Sequence, residues 1–154
     1  PVTTLHTGDA AAVHMNGGLY SSRTPEWATP QKVFDKLAAE YGPFDLDPCA
    51  TPENAKCPVF YTCHDNGLML PWFGRVFMNP PYGRVIGQWM RKAYEESVRG
   101  VFVVCLIPAR TDTIWWHEYA MKGKVEFLRG RIRFEPGNNP APFPSAVVLL
   151  SGVL

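Results

Sequence analysis

Arg75-Val76-Phe77-Met78-Asn79-Pro80-Pro81-Tyr82 sets a short apolar run directly against a stiff polar loop. Val76, Phe77 and Met78 read as a buried strand that ends where the loop begins. Residues 85 to 98 follow, with Ile86, Trp89, Met90, Ala93 and Tyr94 at helical spacing and Gly100 to close the helix. Val101 to Ile107 is then an unbroken apolar run, suited to a strand covered on both faces. Strand, loop, helix and strand within roughly 30 residues form the unit from which parallel sheets are built.

The flanking sequence extends this pattern. Thr29-Pro30 opens a helix with Val33, Phe34 and Leu37 as its apolar stripe, and Gly42-Pro43 stops it. Phe44-Asp45-Leu46 predicts a short strand ending in Asp47-Pro48, Val59 to Thr62 a weaker one, and His64-Asp65-Asn66-Gly67 a turn. Thr111 or Asp112 caps a further helix reaching to about Met121. Val125 to Phe134 and Ser145 to Leu150 supply two last strands, joined by a loop rich in Pro, Gly and Asn. The alternation predicts an α/β fold with a mostly parallel sheet. Residues 1 to 22 read as a flexible arm and residues 23 to 154 as one domain. Ligands in such sheets bind at the carboxyl ends of strands. Asp45, Asp47, Asp65, Asn79 and Pro108-Ala109-Arg110 all fall near those ends.

With 15 Lys and Arg against 14 Asp and Glu, the chain carries no global field for a polyanion. Contact with one must come from a local patch. Arg129, Arg131 and Arg133 alternate along a predicted strand and share one face. With Arg84 and Arg110 they form the candidate patch, a solvated strand face being the equal alternative. The chain has no basic-apolar-small leader pattern and no apolar run fit to cross a bilayer, which predicts a cytoplasmic protein without membrane contact. Cys49, Cys57, Cys63 and His64 lack the paired spacing of a zinc knuckle, so no metal is expected. The four histidines lack partners at general-base spacing. Trp115-Trp116 predicts core for one indole and leaves the other open.

Asn79-Pro80-Pro81-Tyr82 carries the chemistry. An aryl amine donates its lone pair into its ring and is a poor nucleophile. The side-chain carbonyl of Asn79 and the backbone carbonyl of Pro80 can each accept one of its N–H bonds. Together they draw the nitrogen towards tetrahedral geometry and offset the positive charge that develops on attack. Pro80 and Pro81 stiffen the loop, and Tyr82 offers a face for a flipped base. Alone, the tetrapeptide is equally a Pro-rich turn. Its place after an apolar strand and before a helix favours the site.

Trp27-Ala28-Thr29-Pro30, Phe44-Asp45-Leu46-Asp47-Pro48-Cys49-Ala50, Asp65-Asn66-Gly67-Leu68, Asn79-Pro80-Pro81-Tyr82-Gly83, Pro108 to Thr113 and Gly130-Arg131-Ile132-Arg133-Phe134 occur in one order. As a set spanning residues 26 to 150 they resemble the small phage-type DNA N6-adenine methyltransferases. The resemblance implies a Rossmann-like fold with an antiparallel last strand and helices on both faces, S-adenosylmethionine as methyl donor, and adenine-containing DNA as substrate. It implies Asn79, Pro80, Pro81 and Tyr82 as the catalytic loop. Thr29, Pro30, Asp45, Asp47, Pro48, Asp65 and Asn79 then face the cofactor, and Arg84, Arg110, Arg129, Arg131 and Arg133 the DNA. Asp-Pro-Cys-Ala stands where many methyltransferases have a Gly-rich turn. A monomer and a homodimer are both compatible with the chain. Methylation of a protein glutamine amide, which poses the same lone-pair problem, and a non-catalytic nucleic-acid-binding module are the alternatives.

Overall fold

The computed structural model describes residues 27–152; the predicted arm at 1 to 22 lies outside them. The elements in chain order are α1 (Gln31–Tyr41), β1 (Leu46–Asp47), β2 (Val59–Phe60), β3 (Arg75–Met78), α2 (Ile86–Val98), β4 (Phe102–Pro108), α3 (Ile114–Glu118), β5 (Lys124–Phe127) and β6 (Ser145–Leu150). Among the described residues they build one six-stranded sheet of order β2-β1-β3-β4-β6-β5. The first four neighbours run parallel, and β6 lies antiparallel between β4 and β5. The expected α/β architecture with an antiparallel last strand is thus present.

Strand alternation sorts the core into two layers. Val103, Cys105 and Ile107 of β4 face α2, where Ile86, Trp89, Met90 and Ala93 recur at helical spacing. Val104 and Leu106 face the other way, onto Phe34 and Leu37 of α1. Helices therefore cover both faces, and β4 is buried nearly throughout, as its unbroken apolar run requires. Phe34, Phe44 and Phe77 interlock with ring centroids 5.1–5.7 Å apart, fixing α1 over β3.

Two expected elements differ. The helix predicted from Thr111 is only Ile114–Glu118, followed by a 3₁₀ turn at Ala120–Lys122. Its cap is Thr113, whose hydroxyl accepts from the Trp116 amide at 3.3 Å. Both Trp115 and Trp116 are core residues. The strand predicted over 125 to 134 stops at Phe127. Beyond it Arg131 and Arg133 stay exposed while Ile132 and Phe134 turn inward, so alternation outlives strand pairing. What holds that segment is a bridge between Arg133 and Pro140 and another between Ala28 and Glu135.

The turn after β2 touches the turn after β1. Gly67 lies so close to the Pro48 carbonyl that a Cβ there would overlap it, with the Trp89 ring 3.2 Å away on another side. Gly67→Ala should therefore cost about 1–3 kcal/mol of stability through overpacking, read as a lower urea midpoint with an unchanged folded-state circular dichroism spectrum.

Candidate active site

Parallel strands β1 and β3 end side by side, and the residues that follow them form the walls of a cleft. Asp47 and Cys49 come from β1 and its turn, and Asn79, Pro80 and Pro81 from the loop after β3. Trp27 and Thr29, just before α1, close a third side, and Asn54 and Lys56 a fourth. The gap between them is about 30 Å³, room for about one or two waters.

The Asn79 side chain is held from three directions. Its amide nitrogen donates to the Trp27 carbonyl at 2.9 Å and to the Thr29 hydroxyl at 2.9 Å. A backbone carbonyl can only accept, so the NH₂ end must face Trp27 and the oxygen must face away. That oxygen accepts from the Tyr82 hydroxyl at 2.7 Å. Tyr82 has a second acceptor within reach, the Leu106 carbonyl at 3.2 Å. Burial pushes the Tyr82 phenol far above its ordinary range, so it stays a proton donor. Among the described residues nothing donates to the Pro80 carbonyl. The loop thus carries two carbonyls, one open and one engaged by a hydroxyl with an alternative partner.

Tyr82 does not present a bare face. Phe143 and Phe134 meet its ring edge-on at centroid distances of 5.4 and 6.2 Å, and Trp27 lies tilted at 6.2 Å. A base stacking on Tyr82 must displace one of these rings.

The predicted acids separate. Asp47 is buried at the cleft floor, taking only long bonds from the amides of Cys49 (3.4 Å) and Lys56 (3.3 Å). Burial outweighs those bonds and pushes its carboxyl up to about 7. Asp45 precedes β1, at the opposite sheet edge, where its carboxylate accepts from the Arg75 amide at 2.8 Å. It does not join the cleft, because β1 begins at Leu46 and only Asp47 reaches the carboxyl end. Asp65 folds back on its own turn, accepting from the amide of Thr62 at 2.9 Å. That turn and Pro48 border a second narrow cleft with Cys49, Asn66, Gly67 and Trp89. The Trp89 indole nitrogen is fully buried and, among the described residues, has no hydrogen-bond partner. Pro30 stands beside Thr29 but faces a different groove, across α1.

The predicted arginines divide into two groups. Arg110 lies over the Phe143 ring at 5.6 Å, and Arg84 is exposed just past the loop that carries Asn79 and Tyr82. Arg129, Arg131 and Arg133 line the groove along α1. Sequence reasoning missed Trp27 as a backbone acceptor, and also Asn54 and Lys56, whose ammonium reaches Gln31 at 2.9 Å. Nothing in their residue types marked them. Cys49 was noticed only as a thiol, and here it donates to the backbone carbonyl of Asn79 at 3.3 Å. Burial, with the nearby Asp47 carboxyl, pushes that thiol well up, which leaves it unfit as a nucleophile.

The model of the DNA N-6-adenine-methyltransferase (Dam) family matches residues 19–146. A DNA N-6-adenine-methyltransferase of Escherichia phage T1 is 31% identical over 140 residues, covering 73% of this chain and 58% of the phage protein. Another, from Haemophilus phage HP1, is 29% identical over 127 residues, covering 75% of this chain and 73% of its own. The chain thus spans little more than half the length of the phage T1 relative.

Asp47 supplies a test of the cleft's dryness. The folded protein keeps this proton up to about pH 7, whereas the ordinary carboxyl value is 3.8. The folded state therefore binds more protons between those values, and stability falls as pH rises through them. The unfolding free energy of the wild type relative to Asp47→Asn should drop by up to about 4 kcal/mol between pH 4 and pH 7, measured by urea titration. A flat difference would mean that the carboxyl is solvated.

Proposed function

The chain belongs to the DNA N-6-adenine-methyltransferase (Dam) family, and from that premise we propose that it transfers the methyl group of S-adenosylmethionine to the N6 amine of adenine in DNA. The observation that carries this reading is the fixed Asn79 amide, whose carbonyl is aimed by Trp27 and Thr29 rather than left to rotate. An incoming N6 amine offers two hydrogens. One goes to Asn79 Oδ1, with the Tyr82 hydroxyl sharing that oxygen or turning to Leu106, and the other to the Pro80 carbonyl. Both carbonyls then face the positive charge that develops on nitrogen, in a site from which bulk water is excluded.

A methyltransferase family implies a methyl donor, and the residues here suit a cationic one. S-adenosylmethionine supplies a methyl already activated by a positive sulfur, leaving orientation as the protein's main task. Asp47 would face the donor's cationic part, and the ammonium of Lys56 its carboxylate. Pro48, Asn66 and the unpartnered Trp89 indole N–H border the neighbouring cleft, which suits the adenosyl part, with Asp65 holding that turn in shape. Thr29 acts by aiming Asn79, a positioning role more specific than cofactor contact. Seating so large a molecule requires a wall to move, and residues 51 to 56 lie outside helix and sheet. In-line attack needs no covalent enzyme intermediate, in keeping with the protonated Cys49 thiol. Arg84 and Arg110 flank the catalytic loop and would take the phosphates beside the target base. Among the described residues no helix is long and apolar enough to cross a membrane.

The test is transfer of labelled methyl from S-adenosylmethionine to unmethylated DNA, RNA and peptide, with identification of the modified nucleoside or residue. N6-methyladenine in DNA is expected, and label confined to glutamine would overturn the reading. Asn79→Ala should lower kcat by about 10²–10³-fold while cofactor binding by calorimetry persists. Thr29→Val, which keeps shape but removes the acceptor, should lower kcat about tenfold, and Thr29→Ser should restore most of it. Equal loss in both threonine variants would refute the positioning role.

A further inference from the structure

A groove of about 610 Å³ runs between α1 and the segment that follows β5. Its floor is apolar, made by Val33 and Leu37 of α1 with Leu128, Ile132 and Val147. Its rim holds Lys32, Lys36, Arg129, Arg131 and Arg133 against only Glu40 and Glu126. One third of the chain's 15 Lys and Arg therefore collect on a protein that is otherwise close to neutral. Among the described residues none of the five is in an ion pair.

The charge is also ordered along the groove. Lys32, Lys36 and Glu40 stand four residues apart on α1, so they form one stripe down its side. The helix starts beside Thr29, at the catalytic cleft, and ends at Tyr41, whose hydroxyl donates to Glu126 at 2.8 Å. Both carboxylates thus mark the far end, and the cations the end nearer Asn79. On the opposite wall, Arg133 precedes Phe134, a ring packed on Tyr82. Arg131 and Arg133 each donate once to the loop that follows, to Ala141 at 3.1 Å and Asn138 at 3.0 Å. A guanidinium has five donors, so each retains others for a ligand.

Like charges gathered on one groove repel, and among the described residues no carboxylate pairs with them. The complementary occupant is a chain of anions entering from the catalytic end. We propose that this groove receives the phosphodiester backbone of the DNA as it leaves the catalytic loop, with Lys32 and Lys36 of α1 as contacts alongside Arg129, Arg131 and Arg133. The proposal rests on the DNA-methylating reading and deepens it. It gives a chain without a global basic field a directional path for duplex. The acidic far end sets the limit of that path.

The experiment uses the full chain and an adenine-bearing DNA duplex, with affinity followed by fluorescence anisotropy over a range of salt. Combined Lys32→Gln, Lys36→Gln and Arg129→Gln removes three exposed cations and leaves the catalytic loop untouched. Arg91→Gln, on the exposed side of α2 across the sheet, is the control for loss of a cation outside the groove, and Lys32→Gln alone is its single-charge counterpart within it. The triple variant should bind at least tenfold more weakly, and its slope of log affinity against log salt should be shallower by about two to three contacts. In methyl transfer its KM for DNA should rise while kcat at saturating DNA and the cofactor-induced Tm shift hold. A salt slope equal to that of Arg91→Gln would overturn the proposal, as would wild-type protein that does not bind duplex. Wild-type protein that binds with the steep slope yet transfers no methyl would instead sink the catalytic reading and leave the groove standing.

Discussion

The Thr29 hydroxyl and the Trp27 carbonyl accept both hydrogens of the Asn79 side-chain amide, and the site's chemistry depends on that pair of bonds. An Asn side chain is symmetric in shape and antisymmetric in polarity. A flip would turn the NH₂ towards Tyr82 and the position proposed for the amine, replacing an acceptor of N–H with a donor. The backbone carbonyl of Trp27 forbids this, since it has nothing to donate. The segment before α1, distant in sequence, thereby decides the polarity of a loop at the end of β3. The sheet makes the meeting possible, because α1 packs on Phe77 of the same strand through Phe34.

Asp47 shows the same economy of placement with the opposite consequence. A carboxyl pushed up to about 7 is held where the folded protein gains little from its charge. Two long amide bonds do not compensate for lost water. Such a group is a cost standing alone and an asset when a cationic ligand sits against it, because the attraction is then felt in a poorly screening environment. Binding of a positive donor and ionisation of Asp47 should be mutually favourable.

Much of this was legible before any coordinates. The strand–loop–helix–strand unit around Asn79 came from apolar runs and two prolines, and β4 and β6 matched their runs almost residue for residue. The end of a short strand points Asp47 to the cleft, whereas Thr29 is placed there only by what the family resemblance implies. Asp45 was misplaced because a two-residue strand gives no periodicity from which to tell its two edges apart. The late arginines were assigned to a strand because alternation was read as pairing. The segment alternates because Ile132 and Phe134 bury themselves, while its backbone is held by isolated bridges. Lys32 and Lys36 gave no signal at all. Exposed lysines on a helix look alike until the opposite wall of a groove is known.

The aromatic shell around Tyr82 explains why the loop is preorganised and why it must also yield. Trp27, Phe134 and Phe143 pack around the Tyr82 ring, whose hydroxyl is bonded to the Asn79 side-chain oxygen. Those rings stand on the Tyr82 side of the loop, where the proposed reading brings in a base, and each has other partners. Trp27 packs on Phe134 at 5.5 Å and on Phe143 at 5.1 Å, so it cannot move alone. Phe143 lies in the loop pinned by Arg131 and Arg133, and Arg110 lies over its outer face. Three arginines that suit phosphate contact are thus coupled to the ring nearest Tyr82. Phosphates that draw those guanidiniums outward would loosen the bonds holding the loop closed, so that DNA seated in the groove would itself favour opening of the base site.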